Sequence, residues 1–328
     1  MIEYTVLSCV FCYSPLALTG NETGLWFVGD INPQAATFSG KPQDLDYELC
    51  ERFLEKQYIV VRPFTRRPAA LAIGKQALWF IDDTSGIGLY KTHLPSLQRS
   101  TTSKSASLQS STLEAVFETE EKPTDFLMYQ GQPLVAFGNS PEGELHLFQY
   151  QDKKWNALAP LVGSHAHVAL LQDQLIAAVP SNVGISIWYF KDGSWLAGDE
   201  LEMEGELVDL ICRDDWPIFV SRVGETITLT GLQQGGFVEI ASLDIPKGRW
   251  GVSSSSFGLS VVGVERKGIT TVIDIGWPSG AISEPIILEE RIIQDDSLLV
   301  TVLFVSTLVV SIILISKIRR PVQKTANK

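Results

Sequence analysis

Four cysteines and four histidines in 328 residues leave little material for a disulfide framework or for a metal centre built from neighbouring ligands. Cys9 and Cys12 form a lone C-x-x-C with no second pair and no nearby histidine, so they read as small apolar residues of a hydrophobic segment. Positive charge is also scarce: 26 Lys and Arg face 38 Asp and Glu, a formal net charge of −12. An acidic body repels a phosphate backbone, and no basic stripe with interleaved aromatics occurs, which excludes nucleic acid as a partner. Nucleophile-elbow, H-E-x-x-H, Walker and dinucleotide-fingerprint motifs are absent. No cofactor and no metal site is indicated, and binding is favoured over catalysis. Helical periodicity is nearly missing before residue 290.

Long hydrophobic runs are missing as well, with one exception. Residues 298–316 (LLVTVLFVSTLVVSIILIS) carry no charge, no Pro and no Gly. As a helix this stretch spans roughly 28 Å, close to the ~30 Å hydrocarbon core of a bilayer. The expectation is one transmembrane α-helix at 298–316, preceded by a juxtamembrane linker at 291–297. Lys317, Arg319, Arg320, Lys324 and Lys328 follow it without an acid, while the preceding flank offers only Arg291. The positive-inside rule therefore makes 317–328 a cytoplasmic tail and places the body, with a charge of −17 once those five cations are set aside, outside the cytoplasm. Export needs a signal. Residues 1–14 are apolar but carry Glu3 and lack a basic leader, so they read either as an atypical signal peptide or as a strand closing the body onto its last repeat, the latter permitting a tail-anchored, cytosol-facing protein against the charge rule.

The body repeats. Short apolar strands begin at Leu25, Leu78, Leu134, Leu175, Pro217 and Leu259, the last four spaced by 41, 42 and 42 residues. Each repeat runs as strand, Gly or Asp turn, strand, polar turn, strand, tight turn, strand: DFLMY, LVAF, LHLFQY and WNALAP in one; HVALL, LIAAV, ISIWYF and WLAGDEL in the next. Trp155 and Trp195 stand in equivalent places, with Phe237 in theirs one repeat later. Residues 15–28 match 68–81 at a constant offset of 53, with Trp26 facing Trp79, so a first repeat begins near Pro15. Residues 43–56 read as a short helix or an outer strand. The Ser/Thr-rich tract 96–114 reads as a flexible insertion.

This grammar resembles the β-propeller superfamily, with irregular kelch-like blades, over about 15–290. The resemblance implies an all-β wheel of about six four-stranded blades. The Gly-Gly pair usual in kelch blades is replaced here by Gly138-Asn139, Pro180-Ser181 or Ser221-Arg222.

In such a wheel the loops after each second strand emerge on one face. They carry Asp82, Asp83, Asn139, Glu142, Asn182, Arg222, Arg266 and Lys267, a mixed polar rim suited to a protein or a glycan. His165 and His167 stand two apart, so on a strand both point to one face, but no third ligand is identifiable and they read as residues where one blade enters the next. The expected function is a single-pass, membrane-anchored recognition or scaffolding module. The alternatives are a tethered propeller hydrolase or lyase, and the sensory ectodomain of a larger membrane assembly.

Overall fold

The computed structural model describes residues 16–21, 24–30, 47–54, 56–64, 68–74, 77–82, 87–93, 112–119, 121–138, 143–182, 184–233, 236–246, 248–265 and 269–290. They form six antiparallel blades of four strands each, a six-bladed β-propeller. Blade 1 holds β1 (Leu18–Asn21), β2 (Gly24–Asp30), β3 (Tyr47–Leu54) and β4 (Gln57–Phe64). In blade 2 are β5 (Ala70–Ile73), β6 (Ala77–Asp82), β7 (Ile87–His93) and β8 (Thr112–Phe117). Blade 3 comprises β9 (Asp125–Tyr129), β10 (Gln132–Phe137), β11 (Glu144–Gln151) and β12 (Lys154–Ala157), with the short β13 (Leu161–Val162) also on β11. The fourth has β14 (His167–Leu171), β15 (Gln174–Ser181), β16 (Gly184–Lys191) and β17 (Ser194–Glu202). The fifth has β18 (Glu206–Arg213), β19 (Trp216–Val223), β20 (Thr226–Gln233) and β21 (Gly236–Asp244). Blade 6 is β22 (Arg249–Ser255), β23 (Gly258–Val264), β24 (Thr270–Ile275) and β25 (Ile286–Ile287), after which β26 (Glu289–Glu290) leaves it.

The turns follow from their residues. Gln130-Gly131, Asp152-Lys153, Gln172-Asp173 and Asp192-Gly193 all have positive φ at both positions, the backbone that closes a two-residue hairpin with the native strand twist. Just beyond two of these turns, Tyr150 faces Trp155 and Phe190 faces Trp195 across the ladder, with ring centroids 5.2 and 5.0 Å apart. That explains the phased tryptophans: each staples an outer hairpin.

Burial follows radial position. The second strands are buried on both sides, β23 along its whole length, because each blade is covered by a neighbour on either face. The outermost β17 is mostly exposed. The apolar core divides into six clusters, and each joins two adjacent blades. Val135 and Phe137 of blade 3 meet Trp79 and Ile81 of blade 2, and Leu25 and Phe27 of blade 1 meet Val262 and Val264 of blade 6.

Blades 1 and 6 close the ring where the chain leaving blade 6 adds the short β26 to the sheet of blade 1. Leu16 N–H donates to Trp250 O at 3.0 Å, and β26 runs parallel to the outer edge of β4, with Glu289 N–H donating to Lys56 O at 2.9 Å. Between them Arg52, fully buried, donates to both carboxylate oxygens of Asp274 at 2.7 Å and lies 4.1 Å from the centre of the Phe257 ring. Ser260 Oγ donates to the same carboxylate.

Two sequence expectations are refined here. Residues 47–54 of the ambiguous 43–56 stretch are a strand, because Cys50, Glu51 and Arg52 sit in a buried ladder position between β2 and β4. The insertion expected at 96–114 ends earlier: Thr112 and Leu113 already pair with β7 as part of β8, with Glu114 at a register shift, in an edge strand that needs few core residues. Residues 1–14 and the apolar run 298–316 lie outside the described residues. Among the described residues no helix is long and apolar enough to cross a membrane.

Candidate functional site

The innermost strands β1, β5, β9, β14, β18 and β22 follow one another around the axis, each beside the next and β22 beside β1. They enclose a cavity of about 1230 Å³. Space there is tight at the wall: a Cβ on Gly20 would stand 2.3 Å from Ser254 O, so only glycine lets β1 approach β22 this closely.

Three ionisable side chains gather on one side of this cavity, one from each of blades 3, 4 and 5. Asp125 opens β9. Its Oδ1 lies 3.1 Å from His167 Nδ1, and its Oδ2 accepts Val168 N–H at 3.1 Å, so one carboxylate ties blade 3 to blade 4. His167 opens β14. Asp209 projects from β18 at a bulge between Leu207 and Asp209, the kind of irregularity that re-aims a side chain. One of its oxygens accepts Leu210 N–H at 2.8 Å. Asp125 and His167 are only 10% and 15% exposed, which makes their mutual interaction strong.

The electrostatics follow from this packing. Burial pulls the His167 pKa down, but the charge and hydrogen bond of Asp125, joined by Asp209 and Glu206, outweigh it and raise it above the ordinary histidine value. Burial pushes Asp209 up to about 6; the charge of Asp125 adds to the rise, and His167 and the Leu210 N–H oppose it. Cys212, also on the wall, is pushed up to about 12 by burial. An imidazole held between two carboxylates can carry a proton, hold a cation or exchange protons with a guest in the cavity.

The structure corrects the histidine pair. His165 precedes β14 with a φ of +57° and is exposed, so it does not share a strand face with His167. Its N–H donates to Gly138 O at 2.6 Å, where a Cβ on Gly138 would meet Ala166 O at 2.1 Å. His167 pairs with Asp125 and has Asp209 close by, two acids not singled out from the sequence. A signal was present. Asp125 and His167 are 42 residues apart, and another 42 lead to Asp209, the period of the repeat itself. Their ladder partners Ala136, Ala178 and Val220 keep the same step, so the three occupy one structural position in successive blades. A further 42 residues lead to Gly251, which ends the charged side of the wall.

Of the loop residues expected to form a rim, Asn182 lines the cavity, and Arg222 donates to Glu206, which also lines it. Asp82 ends β6 opposite Gly88 and is not part of the cavity wall. Asp83, Asn139, Glu142, Arg266 and Lys267 lie outside the described residues.

No protein-family model matches the sequence, and no curated protein matches it. Solved structures do match the fold. The fucose-specific lectin of Aleuria aurantia superposes with a TM-score of 0.56 at 10% identity, over 86% of this chain and 97% of that one. A variant of that lectin bound to α-methyl-L-fucoside gives 0.55 at 9% identity, over 83% and 94%. TolB from Acinetobacter baumannii gives 0.53 at 14% identity, over 83% of this chain and 68% of that one. At such identities the likeness is one of architecture: the chain is a six-bladed β-propeller.

Proposed function

We propose that this protein is a membrane-anchored recognition module whose propeller presents a polar axial cavity and rim to a protein or a glycan outside the cytoplasm. The observation that carries the reading is the closed wheel around one cavity of about 1230 Å³, with Asn182, Glu206 and its partner Arg222 at the wall and rim. A rigid ring that holds polar groups in fixed positions lowers the ordering cost of binding. Anchoring rests on the apolar run 298–316 and orientation on the cations that follow it. The matching lectin supports a glycan as one class of ligand by analogy of fold.

The test uses the full chain in membranes. External protease should digest the body in intact cells and leave the tail protected; digestion of the tail alone reverses the orientation. A photo-crosslinkable residue in place of Asn182 should trap a discrete partner, or a glycan array should show saturable binding. Arg222→Ala should weaken whichever is seen by about tenfold. Neither signal, or no change with Arg222→Ala, overturns the reading.

One observation favours a second reading, a tethered hydrolase or lyase. Asp125, His167 and Asp209 bring perturbed acid–base groups together in the central cavity. Turnover of an ester, phosphoester or glycoside panel that disappears in Asp209→Asn would select it.

A further inference from the structure

Asp125, His167 and Asp209 each offer one ligand atom, and those atoms lie within 4.8 Å of one another. The 3.1 Å between Asp125 Oδ1 and His167 Nδ1 is the edge length of a coordination shell with metal–ligand bonds of about 2.0–2.2 Å, for which neighbouring ligands sit roughly 3 Å apart. The carboxylates are also held from behind. Val168 N–H fixes the second oxygen of Asp125, and Leu210 N–H fixes one oxygen of Asp209, the outer-shell support that orients metal ligands. The other oxygen of Asp209 accepts no hydrogen bond among the described residues, although the group lines the cavity beside a second carboxylate. Two acids this close, in a partly buried place, favour a positive charge between them; protonated His167 supplies one, and a metal ion bound to the neutral imidazole would supply another. The shared position on three successive strands shows that this convergence is built by the repeat.

We propose that Asp125, His167 and Asp209 bind one divalent transition cation of the zinc or manganese type on the wall of the axial cavity, leaving its remaining coordination positions open to the cavity. One imidazole nitrogen with two carboxylate oxygens suits such ions, whereas calcium and magnesium take shells of oxygen. A water or an anionic group of a guest, carboxylate or phosphate, completes the shell. The site draws on blades 3, 4 and 5 together, so it exists only in the closed wheel. It does not depend on the recognition reading, because uptake of metal is measured with no partner present.

The experiment takes the purified full chain in detergent, stripped with chelator, and titrates it with Zn²⁺, Mn²⁺, Ca²⁺ and Mg²⁺ by calorimetry and elemental analysis. Expected is one Zn²⁺ or Mn²⁺ per chain, with a raised melting temperature at saturating metal. Asp209→Asn and His167→Gln should each weaken binding by at least about tenfold. His165→Ala and His146→Ala should leave it unchanged, the latter controlling for the half-buried His146–Glu144 pair. Should either ligand variant fail to fold, the Co²⁺-loaded wild-type chain decides: its hyperfine-shifted proton spectrum should show a single histidine ligand. No stoichiometric uptake, full uptake by folded Asp209→Asn, or a preference for Ca²⁺ or Mg²⁺ overturns the site. So does a cobalt spectrum without histidine.

Discussion

Asp274→Ala tests the joint at which the wheel closes, where blade 6 meets blade 1. In the native structure Arg52 is fully buried and donates two hydrogen bonds to the Asp274 carboxylate at 2.7 Å, with Phe257 against its face. Removing the carboxylate strips a buried guanidinium of its bidentate counter-charge and leaves Ser260 without its acceptor. Breaking one side of a buried pair costs about 3–5 kcal/mol, a large part of the ~5–15 kcal/mol that holds a typical domain together. For a domain of this size that corresponds to a fall in Tm on the order of 10 °C. The cost belongs to the lost counter-charge of a buried guanidinium rather than to the pair, so Arg52→Met combined with Asp274→Leu should recover most of it. Thermal melts followed by circular dichroism give the size of the loss, and hydrogen exchange locates it. In Asp274→Ala, amides of β26 and β22 should exchange earlier than those of β15, which sits on the far side of the ring. A loss below about 1 kcal/mol, or a double variant no better than the single one, would refute the argument.

Glu51 is buried with Oε2 lacking a hydrogen-bond partner among the described residues, and burial raises its pKa to about 7. The folded state then binds the proton more tightly than the unfolded chain, so stability is full below the unfolded value near 4.5 and falls as pH rises to about 7. Glu51→Gln should therefore be more stable than wild type by about 3 kcal/mol at pH 8, with the two converging near pH 4.5; parallel urea curves at both pH values check this. Gly138→Ala drives a methyl into Ala166 O and should cost about 1–3 kcal/mol by overpacking, seen as a lower urea midpoint; an unchanged midpoint would show that the seam between blades 3 and 4 is slack. Cys212, with its thiol pushed up to about 12, should resist alkylation at pH 7.5 in the native protein and react once unfolded, as peptide mapping after a timed maleimide pulse will show.

The fold was legible because its signals are local. Alternating apolar strands and positive-φ turns such as Asp192-Gly193 and Gln130-Gly131 can be read without knowing what packs where. Trp155 and Trp195 mark the phase because each pairs within its own hairpin. The site was not legible by the same means. Asp125 looks like a polar residue opening a strand and Asp209 like a single acid within one, and their meaning arises only when three repeats stand side by side. The 42-residue step holds the information, but it emerges when acids and histidines are compared across repeats at a fixed phase rather than sought as neighbours. His165 misled for a related reason. Proximity along the chain implied a shared face, whereas its left-handed backbone takes it off the strand. Arg52 and Asp274, 222 residues apart, have no sequence signal that links them.

Six separate apolar clusters, each confined to one seam, leave this molecule without a common centre for denaturation to dissolve. It behaves as a circular arch, in which every wedge stands only while both neighbours press on it. Parting at the clasp would turn the circle into an open arc, with the hub lost while the sheets of the other blades keep their strands. Whatever occupies the hub therefore acts as a keystone, tightening a joint on the opposite side that it never touches.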